Sequence, residues 1–167
     1  MDAPPATASE LRAAQVAHVL ARAVREKEIA ASDALRILRH ELRRRNTNKK
    51  EQIVTRSRRA QQVIEQYGAG LVPKNSSPDA LHADHVYPLT VESINDNRTA
   101  EEWLAELRRV AMVVCVTAEE NYRLEAIERA GVTGPEKYAQ AEIEFTDAAP
   151  PRATSPPTDL QDVKAKK

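Results

Sequence analysis

The sequence predicts an α+β fold that is mostly α, a helical N-terminal extension followed by a small domain of two strands and a helix. Three observations predict it. Apolar residues recur at helical spacing through the first seventy positions. A Gly-, Pro-, Ser- and Asn-rich break, "GAGLVPKNSSPD", follows. Beyond it lie two short strand-like runs, "ALHADHVYPL" and "VAMVVCV", the second leading straight into a helix start signal.

In chain order, residues 1–8 are expected to be a disordered lead. Residues 9–70 form a basic helical region. Ser9 offers an N-cap, after which Leu11, Val16, Val19, Leu20, Ala23 and Val24 recur on one face. Ser32 and Asp33 open a second helix carrying Leu35, Leu38 and Leu42, which breaks at "NTN", residues 46–48. A third helix is expected from Lys49 to Tyr67, with Ile53, Ala60, Val63, Ile64 and Tyr67 on its apolar face and Gly68 as its stop. Residues 71–80 read as a linker. The domain at 81–146 begins with a strand ending near Pro88, and "TVESINDN" reads as loop. Thr99 and Glu102 make a capping box for a helix to about Arg109, and Thr117 with Glu120 makes another for a helix ending at Gly131. A short helix at "GPEKYAQA" follows. Residues 147–167 are Pro-rich and polar, and are expected to be a disordered tail.

The 25 Lys and Arg balance the 25 Asp and Glu, but they are segregated. Between Arg36 and Arg59 stand ten bases and two acids, a local +8; from Glu92 to Asp162, fifteen acids and seven bases give −8. Such a basic half points to an anionic partner, duplex DNA first among them, through Arg43, Arg44, Arg45, Lys49, Lys50, Arg56, Arg58 and Arg59. The N-terminal helices are also a place where two copies could meet as a homo-oligomer. The single cysteine, Cys115, excludes an internal disulfide and lies in an apolar run, so it reads as a buried, inert thiol. No run approaches the ~20 apolar residues of a membrane span, and no leader pattern is present. A cytoplasmic protein with no membrane partner is the expectation.

The chemistry concentrates in "LHADHVYPLT", residues 81–90. Asp84 and His85 stand together at a strand end, where a turning chain could aim both at one cavity. On the last long helix, Asn121 and Glu125 are four apart and share a face. Asp84, Asn121 and Glu125 are hard oxygen donors, suited to one Mg²⁺ or Mn²⁺ and less to zinc. A neutral His85 beside a metal-held phosphate could take a proton from water. His82, on the same strand face as Asp84, is a further ligand candidate or a structural histidine. Trp103 reads as the core anchor of its helix.

The pattern "ADHVYPL … VVCVTAEENYRL" resembles the HNH, or ββα-metal finger, nucleases, over residues 80–145. The resemblance implies an endonuclease of phage or actinobacterial type. It puts Asp84 at the first metal ligand, His85 at the general base, Asn121 at the last motif position and Glu125 at a further ligand. "GPEKYAQAEIEF" is similar to the ending of such proteins. The family's middle Asn, which orients the loop and the base, is replaced by Arg109, Val110 and Ala111, with Asn95 and Asn97 as candidates for its role. The rival readings are a degenerate HNH-like module that binds DNA or protein without cutting, and a helical adaptor in which "ADHVYP" is only a turn.

Overall fold

The computed structural model describes residues 4–45, 49–74 and 76–146. Helix α1 (Ala8–Arg25) starts at Thr7 rather than Ser9. Thr7 Oγ1 accepts from the Glu10 backbone N–H at 3.1 Å, and the Glu10 carboxylate takes the Thr7 N–H at 2.8 Å. The lead is engaged from Pro4 onward, because the Pro4 carbonyl accepts from Arg108. The expected apolar face of α1 is also corrected. Ala14, Ala17 and Ala21 are buried, whereas Leu11, Val16 and Val19 are exposed. Small side chains let α1 lie close against α5 (Ala100–Val110), and that close approach decides which stripe is covered. Helix α2 (Ala31–Arg45) adds Ala34, Leu35 and Leu38 to the same core, which closes on Leu89, Ile94 and the fully buried Trp103. The predicted break at 46–48 lies outside the described residues, as do the tail at 147–167 and residues 1–3.

The third helix is shorter than its sequence suggests. Lys50–Gln52 makes one 3₁₀ turn, the chain then extends, and α3 is Arg58–Tyr67, capped by Ser57. Long-range pairing overrides helix propensity here. Cys115 N–H donates to the Thr55 carbonyl and Ser57 N–H to the Cys115 carbonyl, both at 2.9 Å, and Arg58 N–H bonds the Glu144 carbonyl. Gly68 stops α3 with φ +83°, a conformation that favours glycine. In the expected linker, Val72 and Ala80 are buried and anchor its described residues at either end, while Leu71 is exposed.

Strands β1 (Leu81–His85) and β2 (Val113–Thr117) pair antiparallel, with Leu81 opposite Thr117, Asp84 opposite Val114 and His85 opposite Val113. Between them lie α4 (Val91–Asp96), where a loop was expected, and α5. Helix α6 (Ala118–Arg129) follows β2 directly, so the β–β–α order stands, and α7 (Glu136–Gln140) completes the fold. The two predicted capping boxes, Thr99 with Glu102 and Thr117 with Glu120, both form. One sheet face (Val86, Val114, Val116) packs on Leu124 of α6 and Tyr138 of α7; the other (Leu81, Ala83, Cys115) packs on α3. Glu120 is buried and accepts from Ser57 Oγ at 2.6 Å, which ties α6 to the α3 cap. Among the described residues no helix is long and apolar enough to cross a membrane.

Candidate functional site

Asp84 and His85 are both still inside the paired strand, so their side chains leave opposite faces of the sheet. The expectation that they aim at one cavity fails for that reason. The chain turns only after His85, too late to bring them together.

His85 faces α1, α2 and α5. Its Nδ1 lies 2.9 Å from the Val110 carbonyl oxygen. A carbonyl only accepts, so Nδ1 carries the proton and, in the neutral ring, Nε2 keeps its lone pair. The ring borders a cleft of about 810 Å³ whose lining includes Glu10, Arg12, Glu41, Arg44 and Arg108. Val110 belongs to the segment where the HNH resemblance would put a middle Asn. Its neighbour Arg109 bonds Glu106 through Nε at 2.8 Å and Nη2 at 2.9 Å, and stacks 4.7 Å over the Tyr87 ring. The Glu106 pairing also raises the Arg109 pKa above its ordinary value. This clamp fixes the backbone that presents the Val110 carbonyl. Neither Asn95, which is exposed, nor Asn97, which donates to the Ser93 carbonyl of its own helix, does that work.

Asp84 faces α6 and α7 and is buried. Its Oδ2 accepts from Tyr138 Oη at 2.5 Å and lies 2.9 Å from Lys137 Nζ. Lys137 has no exposed surface, and its ammonium also donates to Glu128 Oε1 at 2.5 Å and to the His85 carbonyl at 2.7 Å. Burial raises the Tyr138 phenol far above its usual range, with the Asp84 charge adding to the shift, so Tyr138 stays a donor.

Asn121 and Glu125 do share a face of α6, but Asn121 spends its amide on Glu125 Oε1 at 3.2 Å, and Glu125 also takes Arg129 at 3.3 Å. The Glu125 charge acts on His82, whose pKa is lowered first by burial and then by Lys50, with Glu125 opposing both. The stripe of α6 therefore meets β1 in two places: Glu125 beside His82, and Glu128 joined to Asp84 through Lys137. Asp84 Oδ2 is held by Lys137 and Tyr138 on the α7 side, while Asn121 and Glu125 pair with each other and with Arg129 along α6, so the three are engaged separately rather than on one shared partner.

Sequence reasoning missed Lys137, Tyr138 and Glu128. One signal was present: among the seven bases from Glu92 to Asp162, Lys137 is the single lysine. A compact ammonium on a flexible stem reaches separate carboxylates where a planar guanidinium would not.

Of the basic residues singled out, Arg43, Lys49 and Lys50 are exposed and pair with no carboxylate among the described residues. Arg44 pairs with Glu41 at 3.3 Å, Arg58 with Glu144 at 3.4 Å and Arg59 with Asp79 at 2.8 Å. Arg56 donates to Gln61. The Arg45 side chain lies outside the described set. Cys115 is fully buried, and burial pushes its thiol up to about 11. No protein-family model matches the chain, and no curated protein or solved structure matches it.

Proposed function

We propose that this chain is a non-catalytic HNH-like module that binds the phosphate backbone of nucleic acid, duplex DNA foremost. The observation that carries the non-catalytic part is the hold of Lys137 and Tyr138 on Asp84 Oδ2 in a buried site. A carboxylate whose oxygen is already held by a buried ammonium and a phenol binds a divalent cation only by displacing them. Binding is supported by Arg43, Lys49 and Lys50, joined by Arg44 and Arg58, whose exposed ion pairs are weak and can exchange for phosphate.

Fluorescence anisotropy of a labelled duplex, titrated across salt, tests this. The logarithm of the binding constant should fall linearly with the logarithm of salt. Neutralising Arg43, Lys49 and Lys50 should flatten the slope by about 0.9 per lost contact. No binding even at low salt would leave the reading without support.

A metal-dependent nuclease is the second reading, and the His85–Val110 contact favours it. That contact leaves Nε2 of a neutral His85 free to accept a proton, beside a cleft bordered by Arg44 and Arg108.

A further inference from the structure

Three oxygens converge on one buried nitrogen. Asp84 Oδ2 lies 2.9 Å from Lys137 Nζ, Glu128 Oε1 2.5 Å and the His85 carbonyl oxygen 2.7 Å. Two carboxylates from different elements and a strand-end carbonyl make a hard-oxygen set of the kind that binds small divalent cations. The stem of Lys137 rises from α7 and delivers the charge from within the fold, so the set needs no ion from solution. The lysine side chain has no exposed surface, which leaves solvent no direct path to the nitrogen.

We propose that Lys137 is a tethered replacement for a divalent cation: its ammonium sits among Asp84, Glu128 and the His85 carbonyl, and makes the β1–α6–α7 junction independent of metal. The cradle is not the set the resemblance implied. It uses Asp84, but Glu128 in place of Asn121 and Glu125. Glu128 is about one turn beyond Glu125 and about two beyond Asn121 on the same stripe of α6, so the oxygen facing Asp84 has shifted along the helix. The inference stands whatever the module binds.

The junction then has a definite ion requirement. With Lys137 present, an added divalent ion would have to displace a covalently held charge, and the wild-type chain should ignore it. With the side chain cut back to Ala, the two carboxylates are left facing each other without a cation, and the space of the stem opens to an ion of the Mg²⁺, Mn²⁺ or Ca²⁺ class.

Thermal melting of the full chain tests this, with EDTA, with MnCl₂, and with NaCl at matched ionic strength. The wild type should melt at one temperature in all three. Lys137→Ala should melt lower, and Mn²⁺ alone should restore it, by on the order of 10 °C when Mn²⁺ is about a hundredfold above its dissociation constant. Lys137→Ala/Glu128→Gln, which lacks one ligand and the facing charge, should fold but lose most of that response. The proposal is overturned if Mn²⁺ stabilises the wild type. It is equally overturned if Lys137→Ala responds to NaCl as well as to Mn²⁺, or stays unfolded at every Mn²⁺ concentration. These outcomes are read without any nucleic acid, so they are separable from the binding titration.

Discussion

Lys137 places its ammonium 2.9 Å from Asp84 Oδ2, with the lysine side chain fully buried and the aspartate 10% exposed. Removing one partner of such a pair strands the other. Lys137→Ala should therefore cost about 3–5 kcal/mol in urea unfolding, because Asp84 loses its counter-charge in a buried setting while the half-exposed Glu128 stands beside it. Lys137→Met combined with Asp84→Asn removes both charges and should cost much less. Equal losses in the two variants would show that stem packing, not charge, is what Lys137 supplies.

His82 reports the neighbourhood of Glu125. Burial and Lys50 lower its pKa below the ordinary 6.5, while Glu125 works the other way. Glu125→Gln should lower the His82 midpoint further in an NMR titration, and Lys50→Met should raise it. The linked stability has a fixed sign. The fold prefers the neutral ring, so this contribution is present above pH 6.5 and is lost as pH falls from there through the folded pKa. No movement of the midpoint in either variant would separate His82 from both charges.

Glu10 joins α1 to α5 through Arg108 Nε at 2.9 Å, and that bond, with the Thr7 cap, holds its carboxyl at about 2. A depressed carboxylate stabilises above its unfolded pKa, so the contribution is present above about pH 4.5 and is lost as pH falls to about 2. Melting curves of the wild type and Glu10→Gln should differ at neutral pH and converge near pH 2. A difference that survives at the acid end would mean that the carboxylate charge is not the cause.

Cys115 should resist thiol reagents in the native state. It is fully buried and its thiol is pushed up to about 11, so little thiolate exists near neutrality. Labelling should appear only with unfolding and follow the urea transition. Fast labelling of native protein would put an opening in the β2 region.

What the sequence made legible was local. Thr99 with Glu102 and Thr117 with Glu120 place two helix starts because a capping box closes within four residues. Helix α4 escaped notice because its box uses Ser93 in place of Glu or Gln and the helix is only six residues long. The start of α3 was misplaced because Thr55 and Ser57 answer to Cys115, about sixty positions away. On α1, period alone could not tell that Ala14, Ala17 and Ala21 would be covered ahead of larger neighbours. At the site, Asp84 and His85 were legible as residues but not as directions, since one more paired position in β1 sends them to opposite faces. Lys137 was hidden because its partners, Asp84 and Glu128, come from two other elements.

With Lys137 and Tyr138 on Asp84 and the basic side chains exposed, the module we propose here should bind DNA without cutting it. Supercoiled plasmid incubated with the full chain in Mn²⁺ at low salt tests this most directly, at protein concentrations that shift the same DNA in a gel. The plasmid should stay supercoiled. Nicking that EDTA stops, and that His85→Ala or Asp84→Ala abolishes, would contradict it.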